Sequence, residues 1–218
     1  MVKGCEKQLD DRVADNTDQD VVVVDLDGTL VKGNTLHIFF KAAIRDAFRR
    51  HDYKFAFVAA SLLALRKLKF ITHKTMKFSI LKRVEITDSL RRDFVRRVDE
   101  CRRPSVSKIL DDYREKGAQI ILATAAPDVY VPWIWGGDFV ATPWRDNHSR
   151  QECRGTVKLA VLRSKIKNFD SRLTAVLTDH HDDLALLGAG AKDIYLVSPS
   201  PQSLMTVSLA NISFHRLD

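Results

Sequence analysis

The sequence predicts a doubly wound parallel α/β core interrupted by an inserted α-helical cap. Three observations predict it. A four-valine run, Val21 to Val24, stops at an acidic turn containing Gly28. Apolar runs and helical segments alternate through the second half of the chain. Between them, from about Thr35 to Arg103, no strand pattern occurs.

An uninterrupted β-branched run bounded by Asp25 and Gly28 fits a strand buried on both faces, the first of a parallel sheet. Ser105 to Lys116 then reads as a helix closed by Gly117, and Gln119 to Thr124 as a strand. Phe139 to Thr142 is a weaker strand, followed by a helix over Thr156 to Lys167. Leu173 to Asp179 reads as a strand, Asp183 to Gly188 as a short helix and Asp193 to Ser198 as the last strand. In the insertion, apolar residues recur at three- and four-residue spacings, as in Ile44, Ala47 and Phe48 or Leu62, Leu65 and Leu68, with basic residues between them. Ile86 to Ser89 breaks the pattern and supplies a capping residue, after which Leu90 to Glu100 resumes as an amphipathic helix. The division predicted is a flexible leader over 1–19, a core of 20–34 and 104–218, and a cap of three or four helices over 35–103.

Composition sets the outer limits. The chain has 218 residues, 45% hydrophobic and 29% charged, which excludes a fibre, a collagen or a wholly disordered tail. Cys5, Cys101 and Cys153 are far apart and form no CxxC or Cys/His cluster, so the expectation is a reducing compartment without disulfides or structural zinc. The first twenty residues are almost wholly polar, unlike a secretory signal. No stretch reaches the ~18 to 20 apolar residues of a membrane span; Phe55 to Leu65 comes nearest and suits a buried or interfacial helix. The expected location is cytoplasmic, with scope for peripheral contact at the inner membrane face.

Charge is unevenly distributed. The chain carries a net +7, yet residues 41–103 hold 18 Lys/Arg against 7 Asp/Glu, so the remainder is net acidic. A basic surface of this kind attracts an acidic substrate or an anionic membrane, or is simply solvated. No nucleic-acid-binding motif accompanies it.

Three of the predicted strands end in polar residues: Asp25 and Asp27, then Thr124, then Asp179 with Asp182 and Asp183. Ligands bind at that edge of open α/β sheets, so these residues should meet in space. Several buried carboxylates repel one another unless a cation neutralises them, and a hard divalent ion with oxygen ligands, most simply Mg2+, does so.

The residues Asp25-Leu26-Asp27-Gly28-Thr29-Leu30 after a hydrophobic strand resemble the first motif of the haloacid dehalogenase-like hydrolases. Thr124 resembles their second motif, Lys158 the third, and the run from Thr178 to Asp183 the fourth, in the right order. The resemblance implies a Rossmann-like core. It implies a magnesium-dependent phosphatase with Asp25 as nucleophile and Asp27 as general acid/base, working through an aspartyl-phosphate. Gly28, Thr124, Ala125 and Lys158 would hold the phosphoryl group. Asp25, Asp27 through its carbonyl, and Asp179 would hold the metal, with Asp183 in support and Asp182 as a helix cap. Lys165 is the reserve for Lys158.

The acid at position 27 favours phosphoryl transfer over halide release, since halide leaves without a proton. The position of the insertion is similar to that in the helical-cap subclass that includes phosphoserine phosphatase, and its basic, aromatic composition is similar to that of phosphatidylglycerophosphatase-type enzymes. A small organic or lipid-like phosphate is the substrate class implied. The second motif, Ala123-Thr124-Ala125-Ala126, lacks the glycines usual in phosphoserine phosphatases. The alternatives are a phosphotransferase or mutase using the same chemistry, and a non-catalytic protein that binds a membrane surface. His180 and His181 are expected to point apart and to leave the metal alone, and Trp133, Trp135 and Trp144 read as core or partner-facing aromatics.

Overall fold

A computed structural model of the chain describes residues 19–144 and 151–218. The leader up to residue 18, with Cys5, lies outside them. The core is a six-stranded parallel sheet in the order β3-β2-β1-β4-β5-β6. Its strands are β1 (Val21–Val24), β2 (Gln119–Pro127), β3 (Phe139–Thr142), β4 (Leu173–Thr178), β5 (Asp193–Val197) and β6 (His215–Leu217). Strand order reverses about β1, which pairs with β2 on one side and β4 on the other.

The valine run explains its own central place. Val22 and Val24 face one layer of the core with Phe39, Phe94 and Tyr130, while Val21 and Val23 face the other with Leu162, Phe169 and Val207. Both faces are apolar because helices cover both.

Four helices fill the segment between β1 and the next core helix: α1 (Thr35–Arg49), α2 (Tyr53–Lys67), α3 (His73–Leu81) and α4 (Asp88–Glu100). Each begins at a side-chain cap. Asn34, Asp52, Thr72 and Thr87 accept from the amides of His37, Phe55, Thr75 and Leu90. Phe39 of α1 and Phe94 of α4 meet edge to face, with ring centroids 5.5 Å apart, and both pack on Tyr130. The two chain passages into and out of this segment are tied together, since Lys32 donates to the Cys101 carbonyl and Arg103 to that of Leu30.

The remaining helices among the described residues are α5 (Pro104–Glu115), α6 (Val131–Ile134), α7 (Thr156–Lys165), α8 (Phe169–Arg172), α9 (Leu184–Leu187) and α10 (Pro201–Leu209), with a 3-10 turn over His181–Asp183. The sequence reading omitted α6, α8, α10 and β6. It also ended β2 early. That strand runs on to Pro127 through a register shift after Ala123, where a proline is tolerated. No helix among the described residues is long and apolar enough to cross a membrane.

Candidate active site

The strand register brings the chemistry together. Val24 lies level with Leu122 of β2 and Leu177 of β4, so Asp25, Ala123 and Thr178 stand side by side where β1 and β4 end. Asp25 is fixed there by its amide, which donates to the Leu177 carbonyl at 2.9 Å. Asp25, Asp27, Thr124, Ala125, Lys158, Asp179 and Asp183 all line one cavity of about 250 Å³ at the reversal point of the sheet.

Lys158 reaches this edge from the first turn of α7, whose start is set by Gly155 at φ +58°. The ammonium donates to Asp25 at 2.9 Å and is held from behind by Asp183, at 2.8 Å from its Oδ1. Burial works against this charge, but Asp25 and Asp183 overcome it and hold the lysine above its ordinary pKa. Thr178 Oγ1 completes the array by donating to Asp183 at 2.8 Å. Lys165 belongs to the same helix but does not line the cavity.

The acids are in the opposite condition. Burial pushes Asp25 up to about 7 despite Lys158, and Asp183 and Asp27 add to the rise. Asp27 is raised too, again by burial, although the Thr35 amide at 2.6 Å and Lys77 oppose the rise. The Asp27 carboxylate thus sits at the N-terminus of α1, where the helix dipole favours negative charge. Thr35 also bonds Tyr130 through the two hydroxyls, 3.2 Å apart. Asp179, raised mainly by burial, is approached by Thr29 Oγ1 at 3.4 Å.

Two residues have parts the sequence did not suggest. Gly28 was expected to offer its amide to a phosphoryl group, but that amide donates to the carbonyls of Val31 and Gly33. What the site needs from Gly28 is the absence of a side chain. At φ +85°, a Cβ there would lie 2.2 Å from Asp179 Oδ2. Asp183 lines the same cavity, and its carboxylate accepts from Lys158 and Thr178, so it also positions the lysine.

The cavity is completed by residues that sequence reasoning missed. Lys77 of α3 is buried and donates to the Ala125 carbonyl at 2.9 Å and to Glu152 at 2.8 Å, so one side chain joins the insertion to β2 and to the approach to α7. His73, Asn34 and Arg154 also line the opening. Only a buried lysine inside the apolar stretch Met76 to Leu81 could have signalled this, and helical periodicity does not distinguish it from a solvated one.

Asp182 does not cap a helix. It pairs with Arg154, while His180 caps the turn, its Nδ1 accepting from the Asp182 amide at 3.1 Å. The two histidines do not point apart either. Their rings stack with centroids 4.2 Å apart, because the backbone passes from extended at His180 into a 3-10 turn at His181. Trp133 packs on Phe39 and Phe94, Trp135 donates to the Asp138 carbonyl, and none of the three tryptophans lines the cavity.

The fit to a hard cation follows from these positions. Asp25, Asp27 and Asp179 offer only oxygen, burial disfavours the charge on each carboxylate, and the missing side chain of Gly28 lets the Asp179 carboxylate pack against the turn.

An α/β fold with an acid-lined reversal point and a helical insertion after the first strand defines a class of hydrolase. The chain belongs to the haloacid dehalogenase-like hydrolase family, whose model matches residues 22–188. No curated protein matches the sequence. Among solved structures, it is similar to a protein of unknown function from Bordetella pertussis Tohama I, with a TM-score of 0.68 at 16% identity over 93% of this chain and 99% of that one. It is similar also to phosphoserine phosphatase in its apo form, with a TM-score of 0.53 at 13% identity over 91% and 93% of the two chains. A phospho-aspartyl intermediate analogue of phosphoserine phosphatase aligns with a TM-score of 0.52 at 11% identity over 92% and 93%. At these identities the likeness is one of fold.

Proposed function

We propose that the chain is a phosphatase that hydrolyses a small organic or lipid-like phosphomonoester through an aspartyl-phosphate. The observation that carries this is the pairing of Asp25 with the buried Lys158 at the reversal point, with Asp27 two residues further on. One Asp25 oxygen attacks phosphorus, and the P–O bond to the leaving alkoxide breaks. Asp27, whose carboxyl is held above the usual range, gives its proton to that oxygen. The same carboxylate then takes a proton from water, which attacks the phosphoryl group and releases phosphate and Asp25.

Lys158 neutralises phosphoryl charge, steered by Asp183. Thr124 Oγ1 accepts from the Ala126 amide at 3.0 Å, which leaves its own proton to donate to a phosphoryl oxygen. Asp25, Asp179 and the backbone carbonyl of Asp27 would hold Mg2+, which would supply charge neutralisation for the transferred group. A cavity of about 250 Å³ suits a small phosphorylated group rather than a polymer. The phospho-aspartyl analogue of phosphoserine phosphatase supports the covalent route by likeness of fold.

The test is hydrolysis of an aryl phosphate with magnesium. Asp25→Asn should lower kcat by a factor on the order of 10⁴ or more while circular dichroism stays unchanged. A variant that keeps most of the activity overturns the assignment.

A further inference from the structure

Helix α2 is apolar on nearly every side, yet it buries only Phe55, Ala56 and Ala59. On its outward side Tyr53, Phe57, Ala60, Ala64 and Leu68 recur at spacings of three and four and all are exposed. Phe57 is 75% exposed. Phe48 and Phe70 extend the stripe at either end; Phe48 packs on Tyr53 with centroids 6.1 Å apart, and Phe70 is itself 75% exposed. Six of the nine exposed large hydrophobic side chains among the described residues fall between 48 and 70. Nothing in the site described above uses any of them.

The exposed charges carried by α2 and its two ends are basic, and Glu85, which reaches this region, is paired with Arg50. At about 3.6 residues per turn, Lys54 and Lys67 fall on either side of its centre line. Arg49 and Lys69 stand exposed at its ends. The acids from 41 to 83 are only two. Asp46 is buried and holds Arg50 and Thr87, and Asp52 is occupied in capping α2. A second copy of the chain laid on this face would set lysine against lysine. An anionic lipid surface matches both features, with rings entering the headgroup boundary and lysines meeting lipid phosphates.

We propose that α2 and its two ends form a docking face for an anionic bilayer, on which the protein lies without crossing. Fifteen residues are too few to span the membrane, and helices with a central apolar stripe and basic flanks lie in the interface plane.

Flotation of the full chain with phosphatidylcholine vesicles, with and without phosphatidylglycerol, tests this at low and high salt. The expected result is binding to the anionic vesicles alone, weakened by salt. Lys54→Gln with Lys67→Gln should weaken it roughly 30-fold, and Phe57→Ser with Phe70→Ser by at least about tenfold. None of these residues lines the cavity, so aryl phosphate hydrolysis should be unchanged in both variants and shows that they fold. Absence of flotation on anionic vesicles overturns the proposal, as does binding that ignores both pairs of substitutions. A concentration-dependent dimer abolished by Phe57→Ser overturns it too, by assigning the stripe to a second copy. Loss of hydrolysis in Asp25→Asn bears on the catalytic reading alone.

Discussion

Asp25 in the core and Asp93 in the helical insertion are both shielded carboxylates, yet they are held in opposite states. Burial raises Asp25 to about 7 against the pull of Lys158, with Asp183 and Asp27 pressing the same way as burial. Asp93 is held below its ordinary value. Burial is resisted there by hydrogen bonds from Arg97 and Arg96 and by the charge of Arg45. The charge of Asp93 is met by arginines within the insertion, whereas at the sheet edge burial disfavours the charges of several carboxylates gathered in one cavity. Carboxylates held against their charge in a cavity are what the proposed cation and phosphoryl group would need.

The largest consequence is in the pH dependence of metal-free stability. Below about pH 4 Asp25 is protonated in both the folded and unfolded chain. Between there and about pH 7 the unfolded chain has ionised while the folded one retains its proton, so stability falls as pH rises through that window. Asp27 and Asp179, also raised, act in the same direction. With chelator present, the melting temperature should drop by roughly 10 °C between about pH 5 and pH 8. Asp25→Asn should flatten much of this slope and melt higher than the parent at the upper pH. Parallel slopes in the two proteins would remove the contrast between core and insertion.

Magnesium should then recover part of the loss. At about 100 times its dissociation constant a ligand adds about 2.7 kcal/mol, which for a chain of this size is roughly 5–10 °C. Scanning fluorimetry at neutral pH with magnesium and then chelator checks it. Asp179→Asn should abolish most of the rise, and Gly28→Ala should reduce it, since the added methyl displaces the Asp179 carboxylate. A rise that survives Asp179→Asn would place the cation elsewhere.

The same contrast explains what the sequence could reveal. The valine run, the acid motif after it and the Leu173 strand are local signals, and each stands in the structure within a residue or so of its expected place. Phe139–Thr142 agrees at both ends. Lys158 could be found because it follows the second motif at the start of a helix. By contrast, Lys77 and Glu152 meet only when α3 folds over the segment before α7, and nothing in the spacing of 77 and 152 encodes that contact. Strand β6 is three mostly exposed residues with no alternation to read, and β5 alone defines it by pairing Tyr195 with His215. The stacking of His180 on His181 depends on the backbone entering a 3-10 turn between them, which the residue types do not reveal.

The smallest effect belongs to the insertion. Removing the charge of Asp93 leaves Arg96, Arg97 and Arg45 without their shared partner, but these arginines are 30–57% exposed and water replaces much of what is lost. Asp93→Asn should therefore destabilise by only about 1 kcal/mol at neutral pH. The sign with pH is the reverse of that at Asp25. A depressed pKa contributes stability above the unfolded value that disappears as the medium is acidified through the folded one. Chemical denaturation of parent and variant at neutral pH and near about pH 3 should show the difference shrinking toward zero. A difference that grows in acid would mean that Asp93, like Asp25, is held against its charge, and the two regions would then no longer be opposites.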